Sequence, residues 1–264
     1  MTASNWQASL AVTLDFEGGN DDDPRDPGGR TSRGILQREW NTYVRAHSSS
    51  GLPSDVWKAP QFAIVDIYRT QYWNPMAGDQ WPAGVDLCVF DGGVNSGSGR
   101  ELRWARSALA QGSGTFSVLA AMATAASDKV AIIKRHQAKR LGFLEALGTW
   151  RTFGRGWAHR VAGIESIATK MALQAGGAPP EIVSTQLAGM SADATTTSRT
   201  AAGGAITAPT AVTAAQVNVP HTDWTVWVID GALLIITIVV VAYLLHRWYI
   251  NQARSAAFAK VATK

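Results

Sequence analysis

The residues best suited to chemistry stand near the start of the chain, in Leu14–Ile35, LDFEGGNDDDPRDPGGRTSRGI. Glu17 precedes Gly18 and Gly19, Asp26 opens a DPGG turn, and Thr31 follows it. A carboxylic acid facing a second carboxylate, with water or a sugar carbon between them, is the arrangement that hydrolyses a glycosidic bond. A Glu at a helix C-terminus lies at the negative pole of the helix dipole. That pole and nearby apolar surface both favour the neutral form, as a general acid requires. Thr31 can orient Asp26 or a water. Each residue also has a plainer role: Glu17 as a surface residue before a glycine C-cap, Asp26 as a turn cap, Thr31 as the cap of a helix starting near Gly34.

No metal or cofactor is expected. The run Asn20–Asp23 fails the EF-hand pattern, because a loop starting at Asp21 puts Asp26 at position six and Ser32 at position twelve. The five histidines (47, 136, 159, 221, 246) lack ligand spacing, and the single cysteine, Cys88, sits in an apolar run as a buried thiol would. GSGTF at 112–116 lacks the lysine of a phosphate-binding loop.

The elements that must position these residues are helical. Ser4 or Asn5 can cap a first helix whose apolar face is Trp6, Leu10, Leu14 and Phe16, and Gly18–Gly19 stop it. Residues 20–34 read as a loop. Helical periodicity then recurs near 35–47, 57–73, 84–94, 98–111, 115–126, 128–147 and 155–173, with little strand-like alternation. The expected class is mainly α. With 46% hydrophobic residues the chain can bury a core, and most of its 11 Trp are expected there, the rest lining a groove. The N-terminus has neither the charge nor the apolar run of a signal peptide.

Beyond residue 175 the composition changes. Residues 176–222 are rich in Ala, Thr, Ser, Gly and Pro and read as a flexible, disordered linker. Residues 224–247 then read as a single transmembrane helix through a lipid bilayer: Gly231–Leu245 carries no charge, and Trp224, Trp227, Trp248 and Tyr249 form the aromatic belts. Residues 248–264 form a basic tail. By the positive-inside rule the tail is expected in the cytoplasm, with the large domain on the opposite, periplasmic side. Residues 129–170 carry 9 basic and 2 acidic side chains, suited to an anionic envelope or to a solvated helix face. No nucleic-acid partner is expected.

Four segments in order then carry a resemblance: FEGGNDDDPRDPGGRTSRGI (16–35), IYRTQYWNP (67–75), LCVFDGGVNSG (87–97) and FGRGWAHRVAGI (153–164). Together they resemble glycoside hydrolase family 108, with its associated peptidoglycan-binding region. The resemblance implies a lysozyme-like helical fold, a catalytic region over 1–95 and a helical peptidoglycan-binding-like region over 96–175 packed on it. It implies cleavage of the β-1,4 MurNAc–GlcNAc bond of peptidoglycan glycan strands, and many members are phage or prophage endolysins. The family's catalytic Glu maps onto Glu17, while Asp26 and Thr31 are secondary candidates. Asn20 and Arg33 depart from the family pattern, and Arg33 adds a cation beside the expected cleft. Asp91 and Asn95, one helical turn apart, either line the cleft and bind sugar or hold two helices together. Tyr72 and Trp73 either stack on a sugar ring or pack in the core. The competing function is a non-catalytic peptidoglycan-binding or envelope-anchoring protein on the same fold.

Overall fold

The computed structural model describes residues 5–22, 29–216 and 224–263, without the side chains of 209–231. Helix α1 (Trp6–Glu17) leads into a small antiparallel sheet of β1 (Asn20–Asp21), β2 (Thr31–Ser32) and β3 (Ile35–Leu36). There follow α2 (Gln37–Ala46), α3 (Gln61–Tyr68), α4 (Val85–Ser96), α5 (Ser98–Ala108), α6 (Phe116–Ala125), α7 (Lys129–Glu145), α8 (Trp150–Ala175), α9 (Pro180–Gln216) and α10 (Trp224–Ala262). The mainly α, lysozyme-like class holds. The short strands lie within the stretch expected as loop. Arg33 and Gly34, both with positive φ, join β2 to β3 in the manner of a two-residue type I′ turn.

Helix α4 is the axis of the domain. Val85, Leu87, Cys88, Val89 and Phe90 are all buried on it, so it is apolar around most of its circumference and is enclosed by its neighbours. Trp6 of α1 meets Phe90 and Trp73 edge-on at 5.5 and 5.2 Å, which seats α1 on α4. Trp6, Trp40, Trp73, Trp81 and Trp104 are buried, whereas Trp57 and Trp248 are exposed.

Asn5 precedes α1 but does not cap it. Its amide donates instead to buried Asp86 at 2.8 Å, and Asp86 also accepts the backbone N–H groups of Gly84 and Leu87. One carboxylate thus ties the start of α1 to the start of α4.

Within the stretch read as a linker, 176–222, the chain is helical over Pro180–Gln216. Pro180 fits the first turn of α9, where its missing N–H costs nothing. Alanine, the best helix former, recurs through the helix. Its threonines turn their hydroxyls back onto carbonyls one turn earlier, as Thr185 does to Glu181 and Thr195 to Ser191. Residues 217–223 lie outside the described residues.

Helix α10 is long and apolar enough over Ala232–Ala262 to cross a membrane. Its last third is not a free tail. Arg254 makes two bonds to Glu165 of α8, at 2.6 and 3.1 Å, and His246 pairs with Glu145 of α7 at 2.8 Å. Phe258 is buried against Val183 and Leu187 of α9. The basic tail and the helical turn before it therefore lie against α7, α8 and α9.

Burial pushes the Asp86 carboxyl up to about 6, against the lowering effect of its four hydrogen bonds, from Asn5 and from the backbone of Leu87, Gly84 and Asp86 itself. Between about 3.8 and about 6 the folded chain holds this proton and the unfolded chain releases it. The associated stability is complete below about 3.8 and is lost as pH rises through about 6, an effect on the order of 2–3 kcal/mol. Denaturant titrations over pH 4–7 are expected to show this slope in the wild type and its loss in Asp86→Asn, the variant being the more stable protein near pH 7.

Candidate active site

Glu17 is the last residue of α1, and Gly18 with φ +79° turns the chain away, as the Gly-Gly signal indicates. The carboxylate is mostly enclosed yet reaches solvent, at 17% exposure. Three further segments converge on it. Arg160 of α8 donates Nη2–H to Oε1 at 2.7 Å. Gly34 lies beside Oε2, and a Cβ built there would fall 2.7 Å from that oxygen and 2.5 Å from the Tyr68 hydroxyl. Tyr68 of α3 donates to the Arg33 carbonyl at 2.8 Å, tying the hairpin to α3. Burial, followed by the Glu17 charge, pushes the Tyr68 phenol well above its ordinary range, so it stays a donor.

Arg160 is itself held from below. Its guanidinium makes three bonds to Asp91, at 2.8, 3.1 and 3.1 Å. Asp91 also accepts from Arg140 of α7 at 2.6 Å, and Arg140 donates to Asn95 at 3.1 Å. Burial alone would push Asp91 up, but Arg140 and then Arg160 outweigh it and hold the carboxyl below the usual range. The chain Arg140–Asp91–Arg160–Glu17 runs from the core to the surface with two positive and two negative side chains. Its charges balance, as buried ions require. Helix α8 can come this close to the end of α1 because residue 163 is glycine, where a Cβ would meet Phe16 at 2.7 Å.

The candidates from the sequence fare differently. Asp91 is fully buried and spends its carboxylate on the two arginines, so it joins α4 to α7 and α8 and does not face a cleft. Asn95, partly buried, serves the same junction through Arg140. Trp73 is buried and donates its indole N–H to Asp79 at 3.0 Å, which makes it core. Tyr72 is partly buried and 5.7 Å from the Tyr68 ring; burial, then the charges of Glu39 and Glu17, raise its phenol. Thr31 stands on β2 with its hydroxyl bonded to the Gly29 carbonyl at 2.9 Å. Asp26 lies outside the described residues. Arg33 does not line the Glu17 site with its charge, because its guanidinium bonds Gln61 and the Ala59 carbonyl, both at 2.7 Å.

Gly34, Tyr68 and Arg140 were not singled out from the sequence, and Arg160 entered only as one of the nine basic side chains of 129–170. Tyr68, Arg160 and Gly34 lie inside the motif segments quoted above, and that company was their signal.

The family model for glycosyl hydrolase 108 matches residues 10–97, which include Glu17, Gly34, Tyr68 and Asp91. The chain is also similar to the solved structure of SagA from Brucella abortus, at 32% identity and a TM-score of 0.52. The match covers 64% of this chain and 95% of that one. The chain belongs to glycosyl hydrolase family 108. No curated protein matches it. A family 108 chain is a glycoside hydrolase. Among the described residues of this family 108 chain no His, Cys, Asp and Glu cluster could hold a metal.

Two outcomes test the site. Asp91→Asn leaves two buried arginines without a full counter-charge and is expected to cost about 3–5 kcal/mol in urea unfolding. Gly34→Ala, at φ +78°, is expected to lose both stability and glycosidase activity, because the methyl meets Glu17 and Tyr68. Gly51→Ala, at φ +62° with open space around it, is the control. It should cost a similar 1–2 kcal/mol of backbone strain while keeping activity.

Proposed function

We propose that the chain cleaves the β-1,4 bond between MurNAc and GlcNAc in peptidoglycan, with Glu17 as general acid, while α10 anchors it in a membrane. The observation that carries this reading is the clamp on Glu17. Arg160 takes one carboxyl oxygen, Oε1, and the absence of a side chain at Gly34 leaves Oε2 open.

A hydrogen bond accepted at Oε1 leaves Oε2 to carry the proton of the neutral acid. That proton passes to the glycosidic oxygen as the C1–O bond breaks, the bonding electrons leave with the GlcNAc oxygen, and positive charge develops at C1 of MurNAc. Water then adds to C1 and returns a proton to the site, which restores the acid. Asp26, which follows α1 in the sequence, is the candidate to stabilise the charge at C1 or to activate the water, while the Thr31 hydroxyl proton is held by the Gly29 carbonyl. The positive side chains of α7 and α8 suit an anionic envelope. Substrate in the cleft excludes water from Glu17, which strengthens every charge interaction there.

Glu17→Gln keeps the shape of the side chain and its bond to Arg160 but has no proton to give. It is expected to remain folded, with circular dichroism unchanged, and to release reducing ends from purified peptidoglycan at least about 10²-fold more slowly. Release at the wild-type rate would remove Glu17 from the mechanism.

A further inference from the structure

We infer that α9 and α10 enter the bilayer together as a helical hairpin, so that the hydrolase domain and the C-terminal tail lie on the same face of the membrane. This rests on the membrane-anchoring reading of α10 and changes its topology from one crossing to two.

The two helices run antiparallel in a definite register. Thr195 and Ser255 share a hydrogen bond at 2.7 Å, and the Ser198 hydroxyl donates to the Trp248 carbonyl at 3.2 Å. A Cβ at Gly204 would fall 3.1 Å from Leu244. That register puts Arg199 level with Arg247 and Gln216 level with residues 231–232. No charged side chain occurs over 200–222 on one arm or over 231–246 on the other. Both arms therefore lose their charges at the same height, marked by the two arginines. In the sequence the next charges are Asp223 after one arm and Asp230 before the other. Arg247 to Asp230 is about 26 Å of helix at 1.5 Å per residue. The hydrocarbon layer is about 30 Å thick, and arginines at its edge reach the interface with long side chains.

The occupant of the exposed surface follows from its shape. Leu234, Ile235, Ile236, Ile238 and Val239 are all exposed, Ile235 at 64%. They project from successive positions and cover every side of α10 that α9 leaves open. One protein partner covers one face of a helix, whereas lipid covers all of it. The small residues of α9, Gly204 among them, allow the close backbone approach typical of helices packed within lipid.

Single crossing by α10 alone conflicts with the contacts of the tail. Residues 248–262 are held to the domain by the Arg254–Glu165 pair and by Phe258 in its pocket. A crossing that separated tail from domain would break these and strand Glu165, which is nearly fully buried.

The test is cysteine labelling of the full chain in spheroplasts and in inverted vesicles, with a membrane-impermeant maleimide. Ser50→Cys reports the domain, Thr263→Cys the tail and Asn218→Cys the connection between α9 and α10. Cys88 is fully buried, and the unsubstituted chain is the background control. Expected are retention in carbonate-washed membranes, equal labelling of positions 50 and 263 from one face, and labelling of position 218 from the other. Retention with 50 and 263 on opposite faces would establish one crossing and overturn the hairpin while leaving the anchor standing. Retention with all three on one face would overturn the crossing of both arms. Release by carbonate would overturn the anchor and the hairpin together.

Discussion

Asp91 is the residue on which the rest of the structure depends. It is a single fully buried carboxylate on the central helix, and it draws in Arg140 from α7 and Arg160 from α8. Burying an ion costs several kcal/mol unless it is paired and hydrogen-bonded, so neither arginine can leave without stranding the carboxylate. The pull on Arg160 sets the position of α8, and the one guanidinium N–H that reaches past Asp91 falls on Glu17. The orientation of the proposed acid is therefore fixed by a residue that no substrate touches. The Cys88 thiol and the apolar side chains around it supply the bulk of the core, while Asp91 gives that core a defined register against α7 and α8.

Glu17 was legible because its signals are local: a helix pattern, a Gly-Gly stop and a carboxylate at the boundary. The same holds for the helices of the domain, whose apolar periodicity spans a few turns each. The role of Asp91 was only half legible. Its partners stand 49 and 69 residues away, and nothing in the sequence around it tells a sugar-binding carboxylate from a helix-bridging one. Trp73 is similar, since an aromatic at helical spacing serves a core or a cleft equally well. Residues 176–222 are a different case, being helical over Pro180–Gln216. Alanine, threonine and glycine compose a flexible tether as readily as a close-packed helix, and the outcome is decided by contact with α10, a distant segment. The tail of α10 was read only as basic, since its partner in α8 stands 89 residues away. Arg254 instead has a buried carboxylate waiting in α8.

Helix α8 connects the two halves of the protein. One residue of it, Arg160, holds Glu17, and another, Glu165, holds Arg254 of the C-terminal helix. The hydrolase domain is thus docked on the base of its proposed anchor, not hung from a loose tether.

The bond that is broken tests the account most directly. Purified peptidoglycan digested with the full chain, reduced with borohydride and analysed by mass spectrometry should yield glycan fragments ending in reduced muramic acid, with one water added per cleavage. Fragments ending in reduced glucosamine, anhydro ends without added water, or no released glycan would contradict it.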